Sequence, residues 1–457
     1  MLGNWLLISC VLMSRLAAAD DVHPPPPPPV PAEQVSGVEI PDNVEDHSVA
    51  RVLLTPLRWT TMLVAAPFRG GAYVLDRYQL RDRIEQLLFS EDGTFGVYPT
   101  AFIESQLGLN VGLHVVDSDL FGHAEHFSAA ASYGGEFQQA YEGTLTSGEL
   151  LGAAALKARV SYQAWNRSSF FGIGNADLSP VMPAMIDALA DDTAIHTRFG
   201  QHVTHGELLG SVAIMGPFTL GLAGSYTRRT FNDHAIVDEF ERTVAAYDPA
   251  SLVGYVDGAD NLYGELSLTI DNRHYRTRYI SRAAPSSGFW GSVFVGGAKG
   301  ISGDPSRYLR YGGDLHRYLD LYHGDRVLIL RARFEAVTAN LDQIPFTDLP
   351  RLGGNEVLRG FEVDRFRDRV AALVSAEYDF PIHYGVYGYL FVDGGRVAHD
   401  IGDLDPSGIH VGYGGGFQIH TLNAFLFRAQ IAHSGDGTFL RLALDPLRDT
   451  RIKQRRL

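Results

Sequence analysis

From near Pro99 to Asp445 the chain repeats one pattern: short runs in which apolar and polar residues alternate with a period of two. In the first, Ile103, Ser105, Leu107, Leu109, Val111, Leu113 and Val115 share one face, and Glu104, Gln106, Gly108, Asn110, Gly112 and His114 share the other. Side chains of an extended strand point to opposite sides in turn, so one side is oily and the other wet. Leu262–Asp271 places Leu262, Leu266, Leu268 and Ile270 opposite Tyr263, Glu265, Ser267, Thr269 and Asp271. Val327–Glu335 places Leu328, Leu330, Ala332 and Phe334 opposite Arg331, Arg333 and Glu335. Similar segments are read at 150–164, 201–214, 217–228, 287–299, 306–319, 369–380, 384–397, 408–419, 423–432 and 438–445, with two or three weaker ones between 123 and 175.

About 14 to 16 such segments of roughly ten residues are the signature of a transmembrane β-barrel. A soluble sandwich also alternates its faces, but usually needs only about seven to nine strands per domain, and no linker interrupts residues 99–445. Loop lengths point the same way. Counting back from the C-terminus, Ser434–Gly437 and His399–Ser407 fall at one end, with Thr421-Leu422 and Pro381–His383 at the other. Long connections at 339–368 and 229–260 then alternate with tight ones near Tyr322–Gly324 and Met215–Pro217. Outer-membrane barrels sort short periplasmic turns from longer external loops in this way. The expected fold is all-β: a closed antiparallel transmembrane barrel over 97–446, of 16 strands, preceded by two short helices.

The remaining segments are read from composition. The apolar run Trp5–Met13, followed by Ala17-Ala18-Ala19, reads as a signal peptide over 1–19. Cleavage there removes Cys10, the only cysteine, leaving no disulfide or thiolate metal site. Residues 20–50 hold the proline run Pro24–Pro29 and read as an extended leader. Helical periodicity over 51–96 (Val52, Leu53, Leu57, Leu63 and Val64, then Leu80, Ile84, Leu87 and Leu88) predicts two periplasmic amphipathic helices. Residues 447–457 form a basic tail. A formal charge of −15, with Lys157, Lys299 and Lys453 the only lysines, argues against a nucleic-acid partner.

The connection at 339–368 contains Arg351-Leu352-Gly353-Gly354-Asn355-Glu356-Val357-Leu358-Arg359-Gly360-Phe361 and closes on Arg365-Phe366-Arg367-Asp368-Arg369. A structureless loop of this length is uncommon without a function. Here the chain resembles the bacterial surface antigen family of outer-membrane assembly barrels, the BamA/TamA superfamily, in which a V-R-G-F-type tetrapeptide tips a loop that folds into the lumen. Leu358-Arg359-Gly360-Phe361 occupies that place. Three further resemblances follow the family's order: Phe170-Phe171-Gly172-Ile173-Gly174-Asn175; Leu268-Thr269-Ile270-Asp271-Asn272-Arg273 with Pro285–Gly288; and Phe391-Val392-Asp393-Gly394-Gly395. The family's periplasmic polypeptide-binding repeats, of order 75 residues each, are not visible between Pro31 and Pro99, and the last strand lacks the family's usual terminal aromatic.

Strand parity supplies partners for the tip. With Val370, Ala372, Val374, Ala376, Tyr378 and Phe380 facing lipid, Arg369, Glu377 and Asp379 turn inward. On the next strand Val386, Leu390 and Val392 face lipid, which turns Tyr387, Tyr389, Phe391 and Asp393 inward. Glu377 and Asp393 therefore share one cavity, and a guanidinium is the group whose planar fork suits them.

The resemblance implies an integral outer-membrane protein of a Gram-negative bacterium. It would be a non-enzymatic barrel that assists insertion or translocation of other polypeptides, with unfolded polypeptides, outer-membrane lipid and lipopolysaccharide as partners. A passive pore or surface antigen is the alternative. No nucleophile elbow or phosphate-binding loop is present. His202 and His205, three apart in a strand, face opposite sides, as do His123 and His126 if extended, and Asp400, Asp403 and Asp405 do not have EF-hand spacing. No metal, cofactor or catalytic residue is expected.

Overall fold

The computed structural model describes residues 88–90, 94–104, 108–134, 138–179, 193–232, 235, 240–274, 285–322, 326–383, 386–420 and 425–444. The expected signal peptide, leader and basic tail lie outside them, as does all of the helical segment before Leu88.

Sixteen long strands succeed one another: β1 (Phe95–Glu104), β2 (Gly108–Asp117), β3 (Phe127–Tyr133), β4 (Gln138–Thr146), β5 (Ala154–Phe170), β6 (Thr197–Met215), β7 (Phe218–Asn232), β8 (Ala259–Asp271), β9 (Gly288–Gly300), β10 (Arg307–Tyr322), β11 (Arg326–Thr338), β12 (Val370–His383), β13 (Val386–Ala398), β14 (His410–His420), β15 (Phe425–Ser434) and β16 (Gly437–Leu444). Each pairs antiparallel with its neighbour in sequence, and β16 returns to β1 from Ala101↔Leu444 to Glu104↔Arg441. Closure is what the membrane demands, since an unpaired strand edge in hydrocarbon costs several kcal/mol per group.

Alternation becomes an inside and an outside. Leu109, Val111 and Leu113 of β2, Leu222 of β7, Val293 and Val295 of β9, Val374 of β12, Leu390 and Val392 of β13 and Ile431 of β15 are exposed on the outer wall. The intervening positions carry Asn110, Thr227, Ser292, Asp393 and Gln430, all buried in the lumen. An exposed apolar wall of this extent needs lipid as its solvent.

Two expectations require correction. The run from Pro99 to Val115 is not one strand but the hairpin of β1 and β2, with Ile103 opposite Leu109. Cross-strand partners in this hairpin have the same parity, so alternation continues through the turn without a break. The loop sorting also fails in places. Connections 118–126, 147–153 and 272–287 lie at the same end as the tight turns after β6, β10 and β12, while 105–107 and 135–137 are short at the opposite end.

At the external end, long β5, β6 and β7 carry an apolar cluster over the mouth, in which Phe170, Phe199, Tyr247, Leu252, Ile344, Phe346 and Leu349 are buried together. Phe170 packs edge-on against Tyr247 and Phe346, at centroid separations of 4.9 and 5.5 Å.

Candidate functional site: a loop tip held on the lumen wall

Residues 339–369 join β11 to β12 at the external end. The connection is more ordered than its composition suggests, with a 3-10 turn at Leu341–Gln343 and a two-residue ladder pairing Arg351–Leu352 with Phe366–Arg367. Between the two halves of that ladder lies Leu358–Phe361, whose contacts are with the inner faces of β12 to β15.

The register of β12 and β13 sets Ser375 opposite Asp393 and Glu377 opposite Phe391, making four inward side chains around one point. Arg359 fills it. Its Nε donates to Asp393 Oδ2 at 2.8 Å and its Nη2 to Asp393 Oδ1 at 2.8 Å, while its backbone N–H donates to Oδ2 at 2.9 Å. Nη1 donates to Glu377 Oε2, and Nη2 also reaches Ser375 Oγ at 3.2 Å. Ser375 donates to Asp393 Oδ1 at 2.6 Å. The guanidinium lies over the Phe391 ring, 3.6 Å from its centroid. With Arg359 only 6% exposed and Asp393 1%, these charge-assisted bonds form away from bulk water, where they are strongest and where either charge left alone is most costly.

The Phe391-Val392-Asp393-Gly394-Gly395 segment acquires a physical reading. Phe391 supplies the ring beneath the guanidinium and Asp393 the fork. Gly395 supplies space, since a Cβ there would stand 3.0 Å from Leu352 Cδ1 and 3.3 Å from Leu358 Cδ1. Gly412 of β14, opposite Asp393, leaves room for the Arg359 carbonyl, which a Cβ would overlap. Gly360 takes a φ of 95° against β15, where Ser434 Oγ donates to its carbonyl. Leu358, fully buried, itself adopts a left-handed φ of 56° and packs with Leu352, Phe361 and Phe366. A non-glycine residue in that region costs energy that the surrounding contacts must offset.

Other expected residues are placed as follows. Asn175 bridges to β13, its Nδ2 donating to the Val397 carbonyl at 2.6 Å and its Oδ1 accepting from Val397 N at 3.1 Å. Gly174 N donates to the Arg367 carbonyl, so the Phe170–Asn175 segment and the lumenal loop brace each other. Arg273 forks onto Asp271 and lines a cavity of about 250 Å³ that Arg331, Arg359, Glu377 and Arg428 also line. Arg369 departs from expectation. It precedes β12 at the mouth and donates to the carbonyls of His399 and Ala339 and to Asp400, so it does not enter the lumen. His202 and His205 bond to Tyr162 and Thr227 on opposite faces of β6. Asp400 and Asp403 cap a 3-10 turn, and among the described residues no group of three His, Cys, Asp or Glu is placed to hold a metal ion.

Two anchors were not foreseen. Asp348, on the loop's entry side, accepts from Arg229, from Tyr308 at 2.8 Å and from Asn261 at 3.2 Å, while Arg310 donates to its carbonyl. Burial pushes its carboxyl upward, but Arg229 and Arg310 outweigh that and hold it below the usual range. Arg365, on the exit side, donates to Asp436 at 2.7 Å and to the Ala176 carbonyl at 2.9 Å, with its guanidinium 4.4 Å from the Phe366 ring centroid. Ser375 could have been found, because it shares parity with Glu377. Nothing local marks Asp348.

A closed antiparallel sheet of sixteen strands, apolar outside and polar inside, with a loop pinned in its lumen, is an integral outer-membrane β-barrel. The Omp85 superfamily domain matches residues 119–438, well over half of the chain, so the chain belongs to the Omp85 superfamily. This is the BamA/TamA-type family that the four motifs resemble, a family of outer-membrane polypeptide insertion or translocation in Gram-negative bacteria. Among solved structures, BamA from Haemophilus ducreyi lacking POTRA domains 1–3 is 13% identical with a TM-score of 0.53, over 77% of this chain and 70% of that one. At that identity the likeness concerns the fold alone. CdiB from Acinetobacter baumannii (14% identity, TM-score 0.48) and CdiB from Escherichia coli (12%, 0.49) cover 77% and 76% of this chain, which spans 59% and 62% of theirs. No curated protein matches by sequence.

Proposed function

We propose that this barrel assists other polypeptides in entering or crossing the outer membrane, acting without catalysis and with unfolded polypeptides as its partners. The observation that carries the reading is the Arg359 fork on Asp393 and Glu377 inside an Omp85 barrel. In this role the loop is a strut. Leu358–Phe361 ties the external mouth to the inner wall of β12 to β15, so the wall keeps its curvature while the lumen stays partly filled.

Depletion in cells tests it. A dependent barrel or secreted polypeptide should accumulate in the periplasm, and purified protein in planar bilayers should show small, fluctuating conductance. Large steady conductance with no assembly defect would instead favour a passive pore or surface antigen.

A further inference from the structure

On β10 the outward positions are odd-numbered, and four of them are exposed: Arg307, Leu309, Leu315 and Arg317. The ten residue steps from Arg307 to Arg317 span about 33 Å along a strand at ~3.3 Å per residue, or roughly 25 Å of height at a tilt of ~40°. That is about the height of an apolar band; Leu319 and Leu321 continue the outward row below Arg317, while Arg307 closes it at the external end.

Arg307 stands directly opposite Lys299 of β9. Both are exposed, and neither has a carboxylate partner among the described residues. Asp304, in the turn joining the two strands, is engaged elsewhere, accepting from Asp260 N at 2.5 Å and from Ser306 N and Oγ. Like charges directly opposite on one face of a ladder repel. This pair therefore stands in an acidic protein, at the external edge of the lipid-facing wall, with no carboxylate in ion-pair contact among the described residues. Below and beside it, Leu262 and Leu309 are exposed and apolar.

We propose that Lys299 and Arg307 form a docking site for the phosphates of the glycolipid of the outer leaflet, with Leu262 and Leu309 receiving its acyl chains. The surface is continuous with the lipid-facing band, and its charge complements a phosphate at headgroup depth. Each cation near an anionic headgroup plane contributes on its own, so the pair binds a phosphorylated lipid more tightly than either alone.

The test uses the full chain in mild detergent and follows thermal unfolding by loss of compact migration on unboiled gels. Bisphosphorylated lipid A should raise the midpoint, whereas dephosphorylated lipid A and millimolar inorganic phosphate should not. Lys299→Gln with Arg307→Gln should need roughly tenfold more lipid A for the same rise, and Arg317→Gln should behave as wild type. An undiminished response in the double variant would overturn the site, as would an equal response to dephosphorylated lipid A or to inorganic phosphate. If the double variant fails to fold, Lys299→Gln alone makes the same comparison.

Discussion

Arg359 and Asp393, 34 residues apart in the chain, meet in a bidentate fork whose two side-chain bonds are both 2.8 Å long. The same carboxylate also accepts the Arg359 backbone N–H. One acidic side chain on the wall therefore fixes both the direction of the arginine and the path of the loop that carries it.

Arg359→Ala leaves buried Asp393 without its cation and Glu377 with only Arg428, 4.0 Å away, and breaking a buried pair from one side costs on the order of 3–5 kcal/mol. The loop should detach while the strands persist. Protease sensitivity of residues 339–368 in intact cells reads this directly. Arg359→Lys should restore only part of the resistance, because a point charge cannot make the fork. Equal resistance in wild type, Arg359→Ala and the double change Glu377→Gln with Asp393→Asn would show that the pairing does not hold the loop.

Gly412→Val attacks the same contact from the strand next to Asp393 without touching a charge. A Cβ there overlaps the Arg359 carbonyl, so the tip should be expelled while the barrel still migrates compactly on unboiled gels. Gly224→Val, on β7 with nothing near its Cβ position, serves as the control. Protection of the loop in Gly412→Val equal to that in the control would mean that the tip does not sit on β14.

Asp348→Ala removes the acceptor shared by Arg229, Tyr308 and Asn261. Stranding a buried arginine again costs about 3–5 kcal/mol, this time at the mouth. The expected cleavage lies near residues 340–350 with the tip still protected. Combined with Arg359→Ala, the losses should not add, because both anchors hold one loop.

His196 gives the mouth a pH dependence. Burial, then Arg198, Arg365 and Arg167, push its imidazole down to about 3. It stacks on Phe240 at 3.7 Å and on Phe171 at 4.4 Å. An unfolded histidine titrates near 6.5. Above that value the contribution to stability is fully present. As pH falls from about 6.5 toward 3 the unfolded chain takes up a proton that the folded one refuses, and stability declines. Thermal midpoints between pH 7.5 and 5 should fall in wild type and flatten in His196→Gln; parallel slopes would place the titration elsewhere.

Three of the four motifs along the chain gain meaning together, because each fills one place in the same contact set, while the fourth contributes Arg273 to the lining of the lumenal cavity. Leu358 and Arg359 meet Phe391, Asp393 and Gly395, and Asn175 reaches the same strand at Val397. Parity alone was enough to bring Glu377 and Asp393 to one cavity, since alternate residues of a strand must face alternate sides. Parity was not enough at residues 99–115, where a hairpin and a single strand read alike.

Sequence by itself determined the alternation, and with it the barrel, the inward set on β12 and β13 and the arginine at the loop tip, because these depend on spacing within one segment. Only the tertiary structure decided the register that sets Ser375 opposite Asp393, the void at Gly412 that admits the Arg359 backbone, and the anchors Asp348–Arg229 and Arg365–Asp436. Those pairs lie 119 and 71 residues apart. Nothing near either partner encodes the other, and they meet because sixteen strands close into a ring whose circumference brings distant loops over one mouth.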